Sequence, residues 1–300
     1  MDISTITKTF EQHMRQAIRA VHPYPNVPNN RVYRIETASQ PYIFKVYSQR
    51  NWPEDGKLPF VARKLTEHNI PHARLFVFDR EDERFPNGYL IEECLPGTTA
   101  DRLELSGKET VTLFEKLAET VSPVHQIELT NYGYIGSGVA EWTTFSEFMY
   151  NTLKDATTGL IACGHMQAEE LEAVREAIRA KLTPYDALPG VLVHGDLSAK
   201  NALVHANKMT LIDWDDAYSL CWMADIARMT LWMKLHMSPD AFGACRNAFL
   251  SRYETKHDKQ AYDDVEDALH VWYGLDCLNY FINDPISEKI KAFLRSVTLR

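Results

Sequence analysis

His194-Gly195-Asp196-Leu197-Ser198-Ala199-Lys200-Asn201, followed by Leu211-Ile212-Asp213-Trp214, is the stretch from which the fold of this 300-residue chain is read. Between the two segments, Asn201-Ala202-Leu203-Val204 and Met209-Thr210-Leu211-Ile212 are short apolar runs separated by the polar His205-Ala206-Asn207-Lys208. That pattern predicts a β-hairpin. A turn centred near Asn207 places Asn201, leaving one strand, directly opposite Asp213 at the end of the other. Asp196 lies on the loop entering the hairpin and reaches the same space. Two carboxylates and an amide oxygen are hard donors, and they suit Mg²⁺, which uses few protein carboxylates and leaves its other positions to water or phosphate oxygens. An Asp or Asn beside a turn is by itself ordinary turn chemistry. The combination of His-Gly-Asp, Asn201 and an apolar strand ending in Asp213 is what carries information.

These residues resemble the kinase catalytic loop H-R-D-L-x-x-x-x-N and its later metal-binding aspartate. With Gly195 in place of Arg, and Ile212-Asp213-Trp214 in place of D-F-G, they are similar to the aminoglycoside phosphotransferase and choline kinase family. The resemblance implies an α+β, bilobal protein-kinase-like fold. A small antiparallel-sheet lobe that binds nucleotide would span residues 1–94, and a larger helical lobe with the catalytic and acceptor sites would span 95–300, with a hinge at about 93–97. It further implies that Asp196 orients or deprotonates an acceptor hydroxyl, that Asn201 and Asp213 hold the magnesium bridging the ATP phosphates, and that His194 braces the loop. Asp225, in Ala224-Asp225-Ile226-Ala227, matches a helix-start position that braces the same loop. Ser198 stands where protein kinases commonly carry Lys, which favours a small-molecule acceptor over a protein.

Composition bounds the alternatives. A 45% hydrophobic chain of this length builds one large domain or two lobes around a cleft. No apolar leader follows Met-Asp-Ile-Ser-Thr, and no run of about eighteen apolar residues occurs, so a cytoplasmic protein off the membrane is expected. Cys94, Cys163, Cys221, Cys245 and Cys277 are widely spaced and lack a C-x-x-C pair, reading as reduced thiols. A net charge of -9 disfavours nucleic acid as a partner and suits a cationic substrate.

Upstream, Phe10, Met14, Ile18 and Val21 are spaced for an amphipathic helix over residues 5–20. Arg31–Thr37 and Pro41–Tyr47 read as paired strands, with Lys45 among apolar neighbours. A buried ammonium needs an anion, and the resemblance supplies the α- and β-phosphates of ATP, with GTP as an alternative. No glycine-rich phosphate loop is present. Asn26–Asn30 stands in its place, and its asparagines, Asn30 included, tolerate left-handed turns through which backbone N–H groups would cover phosphates. Gly133-Tyr134-Ile135-Gly136-Ser137-Gly138 lacks a strand-turn-helix context and reads as a surface or inter-lobe loop. The helix expected from Leu58 to Asn69 has no carboxylate before Glu67, where the resemblance calls for a glutamate partner to Lys45; Glu54 and Asp55 are the substitutes nearby. Leu75–Phe78 and Tyr89–Cys94 flank the turn dipeptide Asn87-Gly88 and complete the small lobe. Leu95-Pro96-Gly97 then reads as the hinge, with Glu93, Cys94 and Leu95 meeting the nucleotide base.

Beyond residue 100 the pattern is helical, as over Val111–Ala118 and Met166–Leu182. For the acceptor, Asp215 and Asp216 adjoin the metal-binding aspartate, and a second acidic cluster at Asp263, Asp264, Glu266 and Asp267 precedes the aromatics Trp272, Tyr273, Tyr280 and Phe281. Asp267 and Trp272 are the acceptor candidates there, although a solvated face above a packed core is the more common source of such a pattern. The expectation is a Mg-ATP-dependent phosphotransferase, monomeric or homodimeric, acting on a hydroxyl of an aminoglycoside-like cation. A choline, sugar or amino-alcohol kinase of the same fold, and an inactive nucleotide-binding relative, are the alternatives.

Overall fold

The computed structural model describes residues 2–25, 27, 29–136 and 140–297. The chain begins with α1 (Ile3–Met14), capped by the Asp2 carboxylate on the Ser4 N–H and ended by Arg15 in the left-handed region. It continues into β1 (Ile18–Pro23), β2 (Arg31–Thr37), β3 (Pro41–Val46), α2 (Lys57–Glu67), β4 (Leu75–Asp79) and β5 (Tyr89–Glu93). The expected helix over 5–20 is therefore too long. Ile18 and Val21 belong to β1, paired with Thr37 and Ile35 of β2. Their spacing fits either element, and sheet pairing decided between them.

The five strands form an antiparallel sheet in the order β1-β2-β3-β5-β4. Alternate side chains point to opposite faces. Tyr33, Ile35, Tyr42, Phe44, Tyr89 and Ile91 pack with Ile6 and Phe10 of α1 in one core. Lys45, next to Phe44, consequently projects from the other face.

The helical lobe holds β6 (Thr98–Thr99), α3 (Gly107–Val121), β7 (Glu128–Leu129), α4 (Phe145–Ala162), α5 (Ala168–Leu182), β8 (Gly190–Val193), β9 (Ala202–His205), β10 (Lys208–Leu211), β11 (Tyr218–Leu220), α6 (Trp222–His236), α7 (Pro239–Arg252), α8 (Gln260–Tyr280) and α9 (Ile286–Ser296). Ser106 and Glu109 make a reciprocal capping box at the start of α3. Two three-stranded sheets, β10-β9-β6 and β11-β8-β7, frame the loop from His194 to Asn201. The resulting architecture is the bilobal protein-kinase-like fold that the resemblance implied. The Asn26–Asn30 stretch is described in part, Asn26 and Pro28 lying outside the described residues.

Candidate active site

The hairpin forms with a two-residue turn at Ala206 and Asn207, both at positive φ, the conformation that matches the twist of paired strands. Its register corrects one expectation. Ala202 faces Leu211 and the Ile212 N–H donates to the Asn201 carbonyl at 2.9 Å, so Asn201 stands opposite Ile212 and not Asp213. Asp213 is one residue further on, at φ 66, and this left-handed backbone ends the strand.

Around Asp196 the loop is tightly determined. The buried Asp225 carboxylate accepts from the His194 N–H at 2.8 Å and the Gly195 N–H at 2.9 Å, and also meets His125 Nε2 at 3.0 Å. These bonds outweigh the burial that would raise its carboxyl and hold it below the usual range. His194 Nε2 lies 2.9 Å from the Ile212 carbonyl, tying the loop to the hairpin. Gly195 has φ 78, and a Cβ there would sit 1.7 Å from the Asp216 carbonyl oxygen, so the glycine is required by contact as well as by conformation. Asp196, 8% exposed, accepts from Asn201 Nδ2 at 2.9 Å and from Lys200 Nζ at 2.8 Å. The Asn201 amide is thereby turned to leave Oδ1 as its free acceptor.

Lys45 crosses from the sheet to this loop. Its Nζ lies 2.5 Å from Asp213 Oδ1 and 2.7 Å from Asp215 Oδ2. Burial pulls the ammonium down, but the two carboxylates more than reverse this and raise it well above the ordinary lysine value. Desolvation likewise pushes Asp213 up, and the Lys45 charge overrides it to hold that carboxyl low. For Asp215 desolvation prevails and the carboxyl is raised. Two carboxylates against one ammonium leave a net negative charge, and with Asn201 Oδ1 they offer hard oxygen donors. This donor set fits Mg²⁺.

Asp215, one of the acceptor candidates, is already occupied by other groups of the chain. Besides Lys45 it receives the Tyr47 hydroxyl at 3.2 Å and is 8% exposed, so it is engaged as the counter-ion of the lysine. Neither substitute glutamate position is used for this purpose. Glu54 pairs with Lys57 at 2.5 Å, and Asp55 with Arg50 at 3.2 Å. Lys57 takes the first turn of α2, fully buried, with Nζ 3.1 Å from the Asp215 carbonyl and 3.7 Å from the Trp52 ring centre. Gly136 packs on this turn, its missing Cβ leaving room for Glu54, which makes Gly133–Gly136 the expected inter-lobe loop; Ser137 and Gly138 lie outside the described residues.

The chain's residues 22–266 match the model of the phosphotransferase enzyme family. The chain belongs to that family. No curated protein matches this phosphotransferase. Among solved structures, it is similar to a thermostable mutant of the aminoglycoside phosphotransferase APH(4)-Ia in a ternary complex with AMP-PNP and hygromycin B, with TM-score 0.71 and 18% identity, covering 97% of this chain and 98% of that one. It is also similar to a candidate fructosamine-3-kinase from Haemophilus somnus 129PT, with TM-score 0.66 and 15% identity over 96% of each chain. At these identities the likeness establishes the shared fold.

The remaining expected residues of this phosphotransferase divide into two groups. Asp216 is at the site, receiving Trp52 Nε1 at 2.9 Å. Asp267 is not. It pairs with Lys234 at 3.5 Å, nine residues before Asp276, or about 13 Å along α8. Trp272 is a core residue whose Nε1 donates to the Met149 carbonyl at 2.7 Å. Asp263 and Glu266 hold Arg246, and Asp264 receives the Tyr185 hydroxyl, so the second acidic cluster is structural. Asn30 Oδ1 accepts from the Ser48 N–H at 3.2 Å, fixing the β2–β3 end. At the expected hinge, the Glu93 N–H donates to the Arg74 carbonyl and the Cys94 N–H to the Pro41 carbonyl, while the Leu95 N–H has no backbone partner among the described residues.

Three site residues escaped sequence reasoning. Arg228 on α6 places Nε 3.8 Å from Asp196 and Nη1 3.7 Å from Asp276. Burial raises both Asp276 and Asp216, with the Arg228 charge opposing it in each. Glu92 points into the small cavity shared by Lys45, Leu58, Val61 and Asp213, and burial pushes its carboxyl up to about 7. The two-residue period from Leu90 signalled the direction of Glu92; nothing in the sequence signalled Arg228 or Asp276.

Proposed function

We propose that this protein transfers the γ-phosphate of ATP, with GTP an alternative, to a hydroxyl of a small cationic molecule. The observation that carries the reading is the convergence of Asp196, Asn201, Asp213 and Lys45 from two lobes on one cleft. Residues 1–94 act as the nucleotide lobe and 95–300 as the catalytic lobe, hinged near 93–97. Lys45 binds the α- and β-phosphates, the Asn30 region covers them, and the base lies against Glu93, Cys94 and Leu95, where the Leu95 N–H is available.

Asn201 and Asp213 would hold Mg²⁺, which when bound neutralises charge on the phosphates. Asp196 orients the acceptor hydroxyl and takes its proton as the oxygen attacks. Asn201 and Lys200 keep that carboxylate aligned. Asp216 and Asp276 line the acceptor side, and their excess over Arg228 favours an amine-bearing acceptor such as an aminoglycoside. Choline, an amino alcohol or an aminated sugar satisfies the same charge pattern. The test is a coupled ADP-release screen of aminoglycosides, choline and sugars with ATP and GTP in parallel. Turnover restricted to uncharged sugars would overturn the cationic preference, and absence of any Mg-dependent turnover would favour an inactive relative.

A further inference from the structure

A groove on the helical lobe, separate from the catalytic cleft, has the form of a second binding site. Ala173 and Ala177, one turn apart on α5, carry side chains too short to fill the space above α8. Val271, Leu275 and Leu278 of α8 form the floor and Leu294 of α9 the far wall of an open groove of about 610 Å³. Ligand pockets occupy roughly 300–1,000 Å³ and combine apolar walls with a few placed polar groups. The polar groups here are at the rim and are basic, namely His165, Lys291 and Arg295. Lys291 is bound to Glu288 at 2.8 Å, and Arg295, whose charge also acts on Glu288, has no salt bridge of its own among the described residues. A basic mouth on a chain of net charge -9 runs against the general charge of the molecule.

We propose that this groove binds one medium-length acyl chain bearing a terminal carboxylate. The chain lies on Val271, Leu275 and Leu278, and the carboxylate meets the Arg295 guanidinium at the rim, which is suited to it by planarity and permanent charge. The side of α8 bearing Tyr273, Asp276 and Cys277 faces Arg228 and the acceptor pocket, so the groove is emptied or filled without touching the catalytic residues.

The test is calorimetric titration of the full chain with dodecanoate and, separately, dodecanol. One saturable dodecanoate site per chain is expected, about tenfold tighter than dodecanol. Ala177→Trp should abolish it while leaving the melting temperature and phosphotransferase turnover unchanged. Arg295→Glu, at an exposed position with no salt bridge of its own, should weaken dodecanoate roughly fivefold and leave dodecanol unaffected. No saturable binding by the wild type, unaltered binding by Ala177→Trp, or equal affinity for dodecanoate and dodecanol overturns the proposal. So does a concentration-dependent dimer in sedimentation that Ala177→Trp dissociates, because the groove would then be an interface between copies.

Discussion

The Lys45 ammonium is 2.7 Å from the Asp215 carboxylate, a contact that joins β3 of the sheet to the loop two residues beyond Asp213. In this chain the counter-ion of the strand lysine comes from the helical lobe, and the first turn of α2, where the resemblance called for a glutamate, carries Lys57 instead. On the proposed reading, Asp213 would hold the metal while Asp215 would keep Lys45 oriented. One loop would thereby serve both the lysine and the metal.

Asp215→Asn should therefore act on nucleotide positioning and leave acceptor recognition intact. We expect kcat/KM for ATP to fall about 10- to 100-fold, or roughly 1.4–2.7 kcal/mol of transition-state stabilisation, with the acceptor KM within about twofold. A rise in the acceptor KM alone would return Asp215 to the acceptor side. Asp213→Ala should instead raise the magnesium concentration needed for half-maximal turnover and weaken Mg-ATP binding, measured by titrating each in turn.

Asp196→Ala is expected to lower kcat by about 10²–10⁴, the range associated with removing a positioned proton acceptor. ATP affinity should stay near wild type, since Asp196 contacts Asn201 and Lys200 and does not touch Lys45. Nucleotide binding by calorimetry beside steady-state turnover separates the two effects. Wild-type turnover in this variant would remove Asp196 from its assigned role.

Lys57 is fully buried and pairs with Glu54, so deleting one partner leaves a charge stranded. Lys57→Met should destabilise the fold by about 3 kcal/mol. Adding Glu54→Gln should recover part of that loss. Thermal melts of the single and double variants give the coupling directly, and an additive result would mean that the pair contributes nothing beyond its separate residues.

Glu92 gives a pH signature. Its carboxyl is raised to about 7 in the fold, from 4.5 in the unfolded chain, by burial. Between these values the folded state holds the proton and the unfolded state does not, so stability falls as pH rises through this window. Glu92→Gln should flatten the loss, leaving the variant on the order of 2 kcal/mol more stable than wild type at pH 8 in the absence of nucleotide. Denaturant unfolding at pH 5 and pH 8 measures it, and parallel curves for the two proteins at both pH values would contradict the assignment.

The Gly195 contact predicts a sharp local failure. Gly195→Ala would drive a methyl into the Asp216 carbonyl at a positive φ, so the loop bearing Asp196 must shift. We expect kcat to fall at least about tenfold, with Mg-ATP affinity within a few-fold of wild type. The same two assays used for Asp196→Ala decide it.

The catalytic loop, the hairpin after it and the strand lysine were legible in the chain because each is a local pattern whose spacing limits what it can become. His194 to Asn201 fixes a loop followed by a strand, and the alternation around Lys45 fixes which face the lysine takes. The helix over 5–20 was overestimated because Ile18 and Val21 satisfy helix and strand spacing alike, and only the presence of β2 settles the choice. Trp272 and Asp267 carried the composition of a binding wall, but packing against α4 and pairing with Lys234 gave them other uses.

By itself, then, the sequence determined the kinase-like fold, through the resemblance carried by His194–Asn201 and Ile212–Trp214, and the candidate groups for a metal and a phosphate, since each of these is a side chain of fixed chemistry within a short motif. Which groups pair was decided only by tertiary structure. Lys45 and Asp215 are 170 residues apart in the chain, and Arg228 meets Asp196 across α6 and the loop. A charge in a sequence does not name its partner. Two elements must first be brought together by burial of their apolar faces, and the partner is then whichever opposite charge that packing places within a few ångströms.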